Sequence, residues 1–275
     1  MHLFDKMTKK DIKKKLKNDK KAARIEYRAL LTSAEECYRA KLGEAEQVYN
    51  KSMDEYYLVS GEKKPQNPPK RPLLEEIGNS ITHGLGAVFA LIALVLMLIE
   101  ADRRIEYISA VIYFLGLFIL FMSSCLYHAF VHGSAVKRLF HRFDYSSIYL
   151  LIGATFTPVL LCFFGDLFGY VFFGVQWAII ACGITFVGVF GPSRLSFLHI
   201  PLYVLLGWSA LMLLPGIISV NFPLAMYILG GGILYTLGLI PFLLRSRVSH
   251  FIWHFFVLAG AVVQWIGIYL YLFKN

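Results

Sequence analysis

Seven apolar segments follow one another in the second part of the chain, each close to the roughly 20 residues that a helix needs to cross a bilayer. They are residues 80–99, 106–131, 144–164, 168–190, 196–214, 222–244 and 249–272. Stretches with turn or charge signals separate them, among them EADRRIE, FGDLFG and PGIISVNFP. Pro158 and Pro241 lie inside segments and are expected to kink the third and sixth helices. The pattern predicts an all-α, polytopic membrane protein built as a seven-transmembrane-helix bundle.

The charged residues divide the chain into two parts. Residues 1–72 carry 18 of the 27 Lys and Arg residues and 11 of the 18 Asp and Glu residues. The remaining residues hold too few charges to cover the surface of an ordinary soluble domain. We therefore predict a basic, mainly helical extension at 1–72, which ends in the Pro-rich linker GEKKPQNPPKRP, and a membrane domain at 73–275.

The basic residues between the segments predict the orientation in the membrane. If the N-terminus lies in the cytoplasm, six of them fall in cytoplasmic loops: Lys137, Arg138, Arg142, Arg194, Arg245 and Arg247. Three fall on the opposite side: Arg103, Arg104 and Lys274. The start of the chain also lacks the apolar core of a secretory signal peptide. We expect a multi-pass protein of the plasma membrane with its N-terminus in the cytoplasm.

The N-terminal extension has a helical pattern over residues 8–57. Apolar residues from Tyr27 to Tyr56 recur at spacings of three and four, in a stripe rich in Tyr and Ala. A solvated helix, a helical hairpin, a short coiled coil and a helix on the membrane surface all fit this pattern. The expected partners are membrane lipids, whose anionic headgroups suit the basic charge, and a second copy bound through this helix, and no nucleic acid is expected.

Polar residues gather at the predicted cytoplasmic ends of four helices. His250 and His254 are four residues apart and project from one helical face, and Ser124 and His128 repeat that spacing. Two histidines spaced in this way can ligate one metal ion, and a third from another helix would complete a catalytic type of zinc site with one open position. Asp144 would then hold the reacting water or orient a ligand histidine.

A less specific interpretation applies to single histidines. A histidine near a membrane interface is often an interfacial polar residue that is hydrogen-bonded to backbone, and His132 and His141 are expected to be solvated. His199 is expected to start the fifth helix without a ligand role.

The motifs together resemble those of the haemolysin III family, which groups with the progestin and adiponectin receptors and is similar to the alkaline ceramidases. The residues that carry the resemblance lie on helices one, two, three and seven: Glu76, Asn79, Thr82, His83, Ser124, His128, His141, Asp144, His250 and His254. The resemblance covers about residues 73–272 and leaves the extension unexplained. It implies a seven-helix bundle with a cytoplasmic N-terminus and a zinc ion held by His128, His250 and His254. Ser124 and Asp144 would complete the site as catalytic residues, and Glu76, Asn79 and His83 would support it.

Three functions are compatible with these residues. The first is a zinc-dependent hydrolase that cleaves an amide or ester of a lipid entering from the inner leaflet, with Asp144 as general base. The second is a receptor or a regulator of membrane composition in which zinc is structural. The third is a membrane-permeabilising, haemolytic protein, although seven spans would hold it in the cell that makes it. A retinal photoreceptor is nearly excluded, since the last helix has no internal lysine.

Overall fold

The computed structural model describes residues 8–61, 67–194, 196–244 and 248–274. Every regular element in these residues is a helix, as predicted, and none of them forms a strand. The chain divides into two compact units, Met1–Pro65 and Gln66–Asn275.

The first unit contains one continuous helix, α1, which spans Lys9–Ser60. Thr8 caps its N-terminus in a reciprocal arrangement with Asp11, and Gly61 ends it in the left-handed conformation with φ 68°. None of the helix residues is buried. The predicted helix is confirmed, but the hairpin alternative is wrong, because the helix continues unbroken for 52 residues.

In its described residues, the second unit contains eight further α-helices. They are α2 (Leu73–Glu100), α3 (Arg104–Ala129), α4 (Ala135–Pro158), α5 (Leu167–Phe190), α6 (Ser196–Trp208), α7 (Leu214–Val220), α8 (Phe222–Leu244) and α9 (Ser249–Ile268). A π-helix extends α4 from Val159 to Phe164, and another extends α9 from Tyr269 to Phe273.

Two proline-containing regions differ in their effect on the helices. At Pro158 the α-helix changes into the π-helical turn, since proline has no N–H for the regular ladder. Pro241 lies within α8, which continues to Leu244.

The prediction of a loop at PGIISVNFP is wrong, because most of this stretch forms α7. A proline lies in the first turn of α7, where proline is favoured.

Six helices of the described part are long and apolar enough to cross a membrane. The bent pair Phe197–Met212 and Leu214–Val220, which turns by 40°, gives a seventh span if it is counted as one. Many large apolar side chains, such as Leu91, Val175 and Leu237, are exposed on these helices, as expected for surfaces that face lipid.

The packing of the helices brings distant parts of the chain together. α3 packs between α2 and α4, α4 contacts α5, and α9 contacts α2, α4 and α8. Small residues allow the closest approaches, and a Cβ on Gly116 would lie 2.2 Å from the Cβ of Ala154 in α4. As a result, the first turns of α2, α4 and α9 and the last turn of α3 meet at one end of the bundle.

Candidate metal centre

Three histidines meet at this end of the bundle. His128 lies in the last turn of α3, and His250 and His254 lie in the first turns of α9. All three are buried, and one ring nitrogen of each lies within 4.8 Å of those of the other two. The ring centroids are 4.8–5.2 Å apart. The structure therefore brings together the three imidazoles that the spacing in the sequence singled out.

Each of these rings has a buried nitrogen without a hydrogen-bond partner among the described residues: Nε2 of His128, Nε2 of His250 and Nδ1 of His254. An unsatisfied polar atom in a buried site is costly, and three together on converging rings call for a shared ligand. Neutral imidazole nitrogens are ligands that zinc binds well. The donor set thus fits a divalent metal ion of this type.

A carboxylate holds the ring of His128 from its other side. The Nδ1 atom of His128 lies 2.5 Å from Oε2 of Glu76 in the first turn of α2. The N–H at Nδ1 therefore donates to the carboxylate, and Nε2 keeps its lone pair for a metal. Asn79, one turn further along α2, is fully buried, and its amide nitrogen lies 3.4 Å from the same Nδ1.

Lys137 completes this arrangement, although neither hydropathy nor spacing in the sequence points to it. Its Nζ donates to Oε1 of Glu76 at 2.9 Å and to the carbonyl oxygen of Phe130 at 3.1 Å, and it lies 4.9 Å from the centre of the Tyr127 ring. The lysine side chain is 1% exposed. The prediction that Lys137 lies in a cytoplasmic loop is wrong, because it belongs to α4 and is buried in an ion pair.

His83 packs directly against the cluster without belonging to it. Its ring stacks on that of His254 with centroids 3.7 Å apart and an interplanar angle of 18°. Phe121 contacts its edge on another side. The ring of His83 therefore restricts the positions that His254 can take.

Ser124 and Asp144 line a cavity of about 150 Å³ that also borders His83, His250 and His254. Ser124 is buried on α3, one turn before His128, and Asp144 is half-buried on α4. The rest of the wall is mostly apolar and comes from α4, α6, α8 and α9, with Ile148, Tyr203, Trp208, Leu229 and Trp253 among its residues. The cavity therefore has a polar end at the histidines and an apolar body.

Two other histidines lie apart from the cluster. His141 is buried against the rings of Tyr127 and Tyr145, so the expectation that it is solvated is wrong. His199 is buried in α6, and its Nδ1 lies 3.0 Å from the hydroxyl of Tyr149. Neither belongs to the metal-ligand group found among the described residues.

Comparison with known proteins gives a consistent result. The sequence model of the family described as haemolysin-III related matches residues 72–265. Hemolysin-3 of Bacillus cereus is 33% identical over 205 residues, which cover 72% of this chain and 91% of that protein. The Hemolysin-3 homolog of Bacillus subtilis (strain 168) is 31% identical over 208 residues, which cover 73% of this chain and 95% of that protein. The human monocyte to macrophage differentiation factor is 29% identical over 209 residues, which cover 73% of this chain and 86% of that protein.

Proposed function

The chain belongs to the haemolysin-III-related family, and we propose that it hydrolyses an amide or ester bond of a membrane lipid at a zinc site formed by His128, His250 and His254. The observation that carries the proposal is the meeting of three buried imidazoles, each with an unpartnered ring nitrogen among the described residues, beside a largely apolar cavity. We place the site near the inner leaflet of the plasma membrane, with the N-terminus in the cytoplasm.

The residues around the cluster suit this reaction. A zinc ion, when bound, supplies a Lewis acid and a site where water is activated. Asp144 is positioned at the cavity to accept a proton, and Ser124 is positioned to donate a hydrogen bond to the oxygen of the scissile carbonyl. The apolar body of the cavity suits an acyl chain.

Metal content is the first test of the proposal. We expect detergent-purified protein to carry about one zinc per chain, and His128→Ala and His254→Ala to lose it. His199→Ala is the matched control, since it removes a buried histidine outside the cluster and should leave zinc in place. Wild-type protein without stoichiometric zinc, measured by plasma mass spectrometry, would refute the site.

Turnover is the second test, and it separates catalysis from a structural metal. We expect purified protein in lipid nanodiscs to release fatty acid from a fluorescent N-acyl lipid or its ester analogue. Asp144→Asn should abolish release while zinc is retained. If neither lipid is turned over by zinc-loaded wild-type protein, the hydrolase proposal fails and a non-enzymatic receptor or regulator is favoured.

The name of the Bacillus cereus relative, Hemolysin-3, favours a second candidate function, membrane permeabilisation. Dye release from liposomes after addition of the pure protein measures it directly. Leakage that persists in His254→Ala would assign the lytic activity to the protein independently of the metal site.

A further inference from the structure

Helix α1 contains an internal repeat of 11 residues. Residues 27–37, YRALLTSAEEC, and residues 38–48, YRAKLGEAEQV, are identical at six of 11 positions. Tyr49 and Met53 continue the register of Tyr38 and Leu42. Eleven residues make about three turns of an α-helix, so the repeated positions follow one another almost straight along the helix. The continuous 52-residue helix of the structure therefore carries an apolar stripe about 40 Å long, from Tyr27 to Met53.

The stripe is narrow. It is formed by three positions of each repeat, occupied by Tyr27, Leu31 and Ala34 and then by Tyr38, Leu42 and Ala45. A stripe of this width is typical of a seam between two helices, whereas a helix lying on lipid uses a broader face with Trp and Phe. Residues 9–60 contain neither Trp nor Phe. No residue of α1 is buried, and a helix gains little stability from its own hydrogen bonds alone, so this stripe calls for a partner helix.

The charges along α1 indicate how two copies would pair. Residues 9–28 contain ten basic and three acidic residues, whereas residues 29–60 contain three basic and six acidic residues. A parallel pair would bring the two basic parts together. An antiparallel pair places the basic part of each copy beside the acidic part of the other, which favours association.

Lys20 gives a second and independent indication that the two α1 helices run antiparallel. In the 11-residue register it occupies the stripe position of Leu31 and Leu42. In a parallel pair in register, Lys20 would face Lys20 of the partner subunit. In an antiparallel pair centred on Ala34, Lys20 instead lies within one residue of the level of Tyr49 of the partner subunit, where its ammonium can reach over the ring.

We propose that α1 pairs with α1 of a second copy of the chain in an antiparallel arrangement centred on Ala34. In this register Ala23 is level with Ala45 of the partner subunit, and Tyr27 lies within one residue of the level of Leu42 of the partner subunit. The two helices overlap along nearly their whole length, and the linkers that begin after Gly61 leave from opposite ends. This pairing does not depend on the metal site, so either proposal can fail without the other.

Cysteine cross-linking in membranes tests the register with the full-length chain. In a background whose four cysteines are replaced by alanine, Ala23→Cys and Ala45→Cys are introduced into two differently tagged copies that are expressed together. We expect oxidation to give a cross-linked pair of the two tags and no pair from either variant expressed alone. Ala29→Cys with Ala40→Cys is the matched control, since these alanines also lie within one residue of the same level in the antiparallel pair but are on the opposite face of the helix.

Three results would overturn the proposal. Cross-linking of Ala23→Cys with itself would show a parallel pair. Cross-linking of the control pair at the same level as the test pair would show random collision. Absence of every cross-link, together with a blue shift of Tyr38→Trp emission in vesicles rich in anionic lipid, would show that the stripe faces lipid.

Discussion

Replacing Lys137 with methionine tests whether the polar contacts behind His128 hold it in position. Lys137 is 1% exposed and Glu76 is 12% exposed, and their charged atoms are 2.9 Å apart. Glu76 also accepts from Nδ1 of His128 at 2.5 Å. Methionine fills a similar volume without the charge. The substitution therefore removes the lysine partner of the Glu76 carboxylate and keeps its hydrogen bond with His128.

The expected effects follow from the burial of this pair. Removing one partner of a buried ion pair costs about 3–5 kcal/mol of stability, because the other charge stays buried without compensation. Glu76 then turns toward water or takes up a proton, and His128 loses the acceptor that fixes its tautomer and ring orientation. Loss of such a contact behind a metal ligand lowers metal affinity by about 10–100-fold, which corresponds to about 1.4–2.7 kcal/mol.

The assay is zinc affinity by competition with a chelating dye, combined with thermal unfolding. Arg142→Met is the matched control, because it also removes one positive charge from α4. Arg142 donates one hydrogen bond to the carbonyl oxygen of Gly188 at 2.7 Å, but unlike Lys137 it is exposed. The double variant Lys137→Met with Glu76→Gln removes the unpaired charge and should be more stable than Lys137→Met alone. Wild-type zinc affinity in folded Lys137→Met, or additive effects in the double variant, would refute the reasoning.

Three further predictions concern packing, the cavity and the metal. Gly116→Ala should destabilise the protein by about 1–3 kcal/mol, because its Cβ would lie 2.2 Å from that of Ala154, whereas Gly174→Ala, with open space around it, should not lower the melting temperature. Gly207 lines the cavity, and a Cβ there would meet nothing within 4 Å, so Gly207→Leu should reduce turnover of long-chain lipids without changing the zinc content. The control Gly174→Leu should change neither the turnover nor the zinc content. When free zinc is present at about 1,000 times its Kd, removing it with a chelator should lower the free energy of unfolding of wild-type protein by about 4 kcal/mol, measured by thermal unfolding. The same treatment should not change the free energy of unfolding of His254→Ala.

Hydropathy predicted the spans well where the helices are apolar to their ends. The segments 168–190 and 222–244 agree with α5 and α8 to within one residue. At the polar end of the bundle the same method placed the starts too late. α2 begins at Leu73 rather than 80, and α4 begins at Ala135 rather than 144.

These two errors have one physical cause. Charged residues lower the hydropathy of the first turns of α2 and α4, although several of them are buried by pairing with one another. Glu75 pairs with Arg71 at 3.5 Å, and Glu76 pairs with Lys137. A single sequence does not reveal which charges will be paired, so hydropathy alone predicts that Lys137 is a loop residue. The histidines could be predicted because helical spacing alone puts His250 and His254 on one face.

The arrangement around the cluster also bears on whether a metal there is structural or catalytic. A closed structural zinc site has four protein ligands, whereas the group formed by the described residues has three. His128 is held from behind by Glu76, while His250 and His254 border the cavity together with Asp144. Asp144 and Ser124, which line the same cavity, are suited to proton transfer and hydrogen bonding. For this reason we expect Asp144→Asn to leave metal binding intact and to abolish turnover, a combination that a purely structural ion would not produce.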